Sequence, residues 1–243
     1  MVAAIVENAS LDVVSLADMF GVSQATVRRD LDTLEQQRLV HRTHGGATTH
    51  AAFHDMPLSY KSAQDLPEKR RIAQKARELL DRARVIGMTG GTTVTEFARL
   101  LSGADGITVV TNALNIAAEL AANPRLRVFA AGGEVRGSSQ EAVGPSAEAF
   151  LAGYNIDVAF LGVDGVDAEA GCTNYDPVGA RVNAVLRERA RVAAVLADAS
   201  KITRVALAPV CAISDVDVLI TDSRADRAAV EAIRQRGCDV LCV

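Results

Sequence analysis

A chain of 243 residues, 49% apolar and with a formal net charge of −4, has room for a small domain and a larger one. It has no run of about 18 uncharged apolar residues, so a transmembrane helix is not supported and no membrane partner is expected. Its start lacks the cationic stretch and apolar core of a secretory signal, so the expected location is the cytoplasm. Cys172, Cys211, Cys238 and Cys242 lack C-x-x-C spacing and read as buried, reduced thiols.

Residues 2–8 leave room for only a short first helix, which gains little by itself. Leu16, Ala17, Met19 and Phe20 then form an apolar helix expected to brace a second one. Gly21 supplies the turn between them, and Ser23 is placed to cap the second helix. Val27, Leu31 and Leu34 recur at helical spacing and face inward. That leaves Gln24, Ala25, Thr26, Arg28 and Arg29 near the exposed N-terminal end, where a helix-turn-helix presents its base-reading side chains. Residues 39–43 read as a strand and Gly45-Gly46 as a hairpin bend, giving a wing that carries Arg42 and His44 near phosphate. An ordinary helical hairpin with solvated arginines is the plainer alternative.

The first fifty residues hold Arg28, Arg29, Arg38 and Arg42 against Glu7, Asp12, Asp18, Asp30, Asp32 and Glu35. Bulk charge therefore does not draw this segment to DNA, and Arg28 and Arg29 must act locally on phosphates or base edges. Weak binding by one such module points to a homodimer or higher oligomer on paired half-sites of a double-stranded operator. His41, His44, His50 and His54 raise a zinc site, but no cysteine lies near them and no metal is expected.

Residues 48–65 read as a polar linker containing Pro57, between a DNA-reading domain over 1–47 and a second domain over 66–243. A helix starts at 66–68, with Pro67 suited to its first turn and Ile72, Ala73, Ala76, Leu79 and Leu80 as its buried stripe. Beyond it, strand candidates at 85–88, 108–111, 127–131, 158–163, 193–197, 205–208, 217–221 and 239–243 alternate with helices at 93–101, 113–122, 147–152, 178–190 and 225–235. That alternation predicts a mostly parallel α/β sheet with ligands at the carboxyl ends of its strands.

Polar loops follow those ends. Thr89-Gly90-Gly91-Thr92-Thr93 offers amides and hydroxyls to an anion, although a plain tight turn fits it equally well. It lacks both the Gly-Lys-Ser/Thr ending of a nucleoside-triphosphate loop and G-x-G-x-x-G spacing. Thr111-Asn112 offers a hydroxyl and an amide, and Gly132-Gly133 lets backbone close on a ligand. Asp164, in Gly162-Val163-Asp164-Gly165-Val166-Asp167, is available to sugar hydroxyls. Lys201 supplies a cation after Asp198, which reads equally as a ligand or as a cap.

The order Val22-Ser23, Thr26-Val27-Arg28-Arg29-Asp30-Leu31 and His44-Gly45-Gly46-Ala47, followed by these loops, resembles the DeoR family of bacterial sugar-metabolism regulators over nearly the whole chain. The resemblance implies a winged helix-turn-helix followed by a sensor domain similar to ribose-5-phosphate isomerase. It implies that Gly91, Thr92, Thr93 and Lys201 hold a phosphate, and that Asn112, Gly132, Asp164 and Gly165 line the sugar end. The function implied is a repressor controlled by a phosphorylated sugar, which acts as effector rather than cofactor. A sugar-phosphate isomerase carrying a DNA-binding domain is the alternative. The isomerases carry a lysine and a basic glutamate after their Asp-Gly-x-Asp motif, where this chain reads Gly171-Cys172-Thr173-Asn174-Tyr175-Asp176. Glu169 and Asp176 are nearby, yet neither fits that pattern, so no catalytic residue is expected.

Overall fold

The computed structural model describes residues 1–8, 10–36, 39–48, 58–81 and 83–243, and divides them into two units, Met1–Pro57 and Leu58–Val243. Arg38, His50, His54 and Pro57 lie outside the described residues.

The first unit runs α1 (Val2–Asn8), β1 (Ser10–Asp12), α2 (Val13–Phe20), α3 (Gln24–Gln36), β2 (His41–Arg42) and β3 (Gly46–Thr48). Asp12 caps α2 by accepting from the Ser15 amide at 2.8 Å, and Gly21 ends it with φ 63°, a left-handed conformation glycine adopts freely. Ser23 caps α3, its hydroxyl accepting from the Thr26 amide at 3.1 Å. Ile5, Leu16, Val27, Leu31 and Ala47 are wholly buried between the helices and an antiparallel sheet ordered β1-β3-β2. The expected strand over 39–43 shrinks to two residues, and the turn of the wing closes where the Thr43 amide donates to Gly46. Met19 and Phe20 do not brace α3, being 55% and 42% exposed. Val13, Leu16 and Ala17 form the inward stripe, Met19 lies opposite it, and Phe20 ends the helix where little covers it.

The second unit opens with α4 (Leu58–Ala63) and α5 (Leu66–Ala76), so the stretch read as a linker contains a helix. Then follow β4 (Val85–Met88), α6 (Thr92–Leu100), β5 (Thr108–Thr111), α7 (Leu114–Ala121), β6 (Arg127–Ala130), β7 (Glu134–Arg136), β8 (Glu141–Val143) and α8 (Pro145–Ala152). The chain continues through β9 (Ile156–Leu161), β10 (Gly165–Asp167), β11 (Gly171–Asn174), α9 (Pro177–Glu188), β12 (Ala190–Leu196), β13 (Ala208–Cys211), β14 (Val218–Thr221), α10 (Arg227–Gln235) and β15 (Asp239–Cys242). Seven strands pair in parallel in the order β15-β14-β12-β9-β4-β5-β6. Successive side chains point to opposite faces: Val158, Phe160, Ala194 and Leu196 pack with α5, α6 and α7, while Ala159, Leu161, Ala193 and Val195 pack with α8, α9 and α10. Both faces are covered, which is why these strands read as apolar throughout.

Two expectations change here. The strand expected at 205–208 forms instead at Ala208–Cys211, as the antiparallel partner of β11 in a separate sheet ordered β10-β11-β13. Val205 and Leu207 are 58% and 77% exposed, whereas Ala208 and Val210 turn inward and Pro209 sits on an outer position that tolerates its missing N–H. Cys242 is exposed rather than buried; Cys172 and Cys238 are buried, and all four thiols are free.

The chain order reverses between β4 and β9, because β5 and β6 extend one way and β12, β14 and β15 the other. The Thr89 amide donates to the Phe160 carbonyl at 3.1 Å, and the Gly162 amide donates to the Thr89 hydroxyl at 2.8 Å. A methyl group on Gly162 would run into the Gly90 carbonyl. Gly162→Ala is therefore expected to cost about 1–3 kcal/mol through overpacking, read as a lower urea midpoint for the full chain. An unchanged midpoint would show that the two loops are not in tight contact.

Candidate functional site

Two surfaces gather the residues singled out above. On the first unit, Gln24, Ala25, Arg28 and Arg29 are exposed at the N-terminal end of α3, and Thr26 is half-buried. The Ser23 hydroxyl is occupied as a cap and contacts the Thr26 hydroxyl at 2.9 Å. The Arg28 guanidinium reaches back to the Gln24 side chain at 3.4 Å. His44 is exposed in the wing turn. Arg42 is placed differently from expectation: its Nε lies 3.3 Å from Asp32 of α3, and its backbone amide donates to Glu35 at 2.9 Å. A carboxylate on the recognition helix draws this guanidinium inward, so the wing does not present it as a free cation.

On the second unit, the strand order sets the carboxyl ends of β12, β9, β4 and β5 side by side, with the crevice at the β4/β9 reversal. The loop after β4 carries Gly91, with φ 111°, into α6, whose first turn holds half-buried Thr92 and buried Thr93. A methyl on Gly91 would touch Gly162 across the crevice. Asp164 follows β9 and Lys201 follows β12.

Several expected ligands are already engaged. The Thr111 hydroxyl donates to the Met88 carbonyl at 2.6 Å and accepts from the Ala113 amide at 3.0 Å, so it braces the loop. Gly165 is buried because a methyl there would strike the Arg204 carbonyl; its lack of a side chain serves packing. Gly132 is exposed beyond β6, two strands from β4. Asp198 is a cap, accepting from the Ser200 amide at 3.0 Å and its hydroxyl at 2.5 Å. Asp164 accepts from the Tyr175 amide at 3.2 Å and from the Lys61 ammonium at 3.3 Å.

Lys201 is half-buried, and burial, reinforced by the nearby Lys61 charge, pulls its pKa down to about 8 against the pull of Asp164 and Asp198. Asn112 is buried and donates to Glu141 and to the Ala142 carbonyl, both at 3.2 Å, while its own side-chain oxygen has no partner among the described residues.

Sequence reasoning missed Glu141, Lys61 and Lys69. Glu141 starts β8, and its carboxylate accepts from the Gly90 amide at 2.9 Å, so an acid already faces the loop after β4. Burial pushes its pKa up, with the Gly90 and Asn112 hydrogen bonds opposing. No motif in the sequence marks it, because hairpin β7-β8 folds it back across the sheet end. Lys69 is buried, and its ammonium donates to the Lys61 and Gln64 carbonyls, each at 2.6 Å. Of the two acids weighed for isomerase chemistry, Glu169 is exposed with Arg236 at 3.5 Å, and Asp176 caps α9 through the Gly179 amide at 2.7 Å. Among the described residues, no three ligating side chains gather to hold a metal ion. No described helix is long and apolar enough to cross a membrane.

The model of the DeoR-like helix-turn-helix domain matches residues 1–52, and that of the DeoR C-terminal sensor domain matches residues 64–223. The chain belongs to the DeoR family. It is a DNA-binding transcriptional regulator, with a helix-turn-helix unit followed by a mostly parallel α/β sensor. It is 35% identical over 228 residues to the HTH-type transcriptional regulator GlpR of Haloferax volcanii, covering 93% of this chain and 89% of that one. It is 32% identical over 208 residues to the glycerol-3-phosphate regulon repressor of Escherichia coli, covering 86% and 82% respectively. Among solved structures, a D-ribose-5-phosphate isomerase in complex with phospho-erythronic acid is similar over 55% of this chain and 52% of that one, at 20% identity and a TM-score of 0.41, too low to bear on function.

Glu141→Gln keeps an acceptor for Gly90 and removes the ionisable carboxyl beside the loop. It is expected to tighten inorganic phosphate binding about tenfold by calorimetry, the worth of one nearby charge in a partly screened site. Unchanged affinity would place the bound anion away from Gly90.

Proposed function

We propose that this regulator represses carbohydrate-metabolism genes and that a phosphorylated sugar or related phosphorylated compound, held in the β4/β9 crevice, changes its hold on the operator. The observation that carries this reading is that anion donors follow two strands flanking β9, on the same edge of the sheet: the Gly91-Thr92-Thr93 turn after β4 and the Lys201 ammonium after β12. A neutral sugar would leave those donors unpaired. Asn112, with a buried unpartnered oxygen, and Asp164 supply polar groups for hydroxyls. The names of the relatives agree with the ligand class, since one is a repressor of a glycerol-3-phosphate regulon. The protein acts in the cytoplasm as a homodimer or larger assembly, because one reading head with so few cations holds DNA weakly.

On DNA, Arg28 and Arg29 carry the contact, with Gln24, Ala25, Thr26 and His44 beside them. Each arginine-to-alanine change is expected to weaken binding to the chain's own upstream DNA by about 1–3 kcal/mol, the worth of a bidentate base contact. Gel shifts measure this, and unchanged affinity in a folded double variant would remove α3 from its reading role.

The sensor makes a separate commitment on pH. Lys201 loses its proton near pH 8 in the free chain, and a phosphate dianion beside it would hold that proton in place. Binding therefore takes up a proton, and affinity for phosphate falls as pH rises through 8. Lys201→Arg, which stays charged, is expected to abolish that fall while still binding. A pH profile identical in the variant and the native chain would show that Lys201 does not touch the anion.

A further inference from the structure

We propose that Lys61 is a second cation of the effector site: in the free chain it is parked on Asp164, and it turns to the phosphate when the effector binds. This rests on reading the β4/β9 crevice as an anion site.

The first support is position. Lys61 lies on α4, 103 residues from Asp164 in sequence, yet its ammonium reaches the Asp164 carboxylate at 3.3 Å, just past the end of β9. Both side chains are mostly covered, at 23% and 21% exposure, which separates this pair from the exposed ion pairs that contribute little.

The second is charge balance. Lys61 is close enough to Lys201 to disfavour its charge, and Arg204 adds a third cation. The facing carboxylates are Asp164, half engaged by the Tyr175 amide, and Asp198, engaged by Ser200. A dianion there would meet Lys201 with two further cations beside it.

The third is how α4 is held. The Leu58 amide donates to the Ser138 carbonyl at 2.9 Å, and buried Lys69 spends its ammonium on the Lys61 and Gln64 carbonyls at the end of α4. A buried ammonium is costly unless its bonds are needed. Here they fix the backbone from which Lys61 extends. Occupancy of the crevice thereby bears directly on α4, the first described element after the DNA-binding unit in the sequence.

The test is calorimetry of inorganic phosphate binding to the full chain, with melting temperature recorded for each variant. Lys61→Ala is expected to raise Kd about tenfold or more, the loss of one charge-assisted hydrogen bond. Lys61→Arg should stay within about threefold of native, since it keeps the charge on a different fork. Asp164→Asn, which removes the competing carboxylate, should tighten phosphate, and it tests the idea even if Lys61→Ala fails to fold. Lys201→Ala is the reference arm. If it weakens phosphate while Lys61→Ala only lowers the melting temperature, Lys61 is structural and the inference is overturned, with the crevice reading intact. If neither variant changes Kd, or the native chain does not bind phosphate, the anion-site reading itself fails and takes Lys61 with it.

Discussion

The close approach of Gly162 to the Gly90 carbonyl is the constraint around which the sensor is arranged. It lies where the strand order reverses, so the loops after β4 and β9 must share one narrow space. Two glycines and the Thr89 hydroxyl, which accepts from the Gly162 amide, make that possible. Because the loops are locked together, the amides at the start of α6 and the carboxylate of Asp164 are held against one crevice. A site assembled on rigid strand ends positions its donors before any ligand arrives.

Charges around the crevice are arranged in opposition. Glu141 occupies the Gly90 amide on one side, while on the other Lys61 is paired with Asp164 and its charge disfavours that of Lys201. On the proposed reading a phosphorylated ligand displaces these internal partners, and it shifts the protein between two states only as far as its affinity for them differs. The DNA-reading unit shows a related economy. Asp32 and Glu35 of α3 engage Arg42 of the wing, leaving Arg28 and Arg29 as the exposed cations of the recognition helix.

Local sequence made the parallel sheet legible. Strands 85–88 and 108–111 match β4 and β5 residue for residue, because both are interior strands of the sheet, covered on both faces. The turn and cap at Gly21 and Ser23 were equally readable, since their chemistry is local. What local patterns did not carry was pairing over long separations. The β10-β11-β13 sheet is short, antiparallel and built across a gap from Asn174 to Ala208, so no alternation marks it. Glu141 and Lys61 reach the crevice only because hairpin β7-β8 and helix α4 fold onto it. Thr111 and Gly165, which sit in motifs that look like ligand loops, turned out to be engaged by the protein itself.

On the proposed reading, occupancy of the crevice is linked to DNA binding, and one titration addresses that link directly. The full chain, bound to a fluorescent fragment of its own upstream DNA, is titrated with matched pairs of free and phosphorylated compounds, beginning with glycerol and glycerol 3-phosphate and extending through the common sugars. At least one phosphorylated member is expected to change the DNA anisotropy while its free counterpart does not. A free sugar that acts as strongly as its phosphate would contradict the account, as would DNA binding indifferent to every phosphorylated compound.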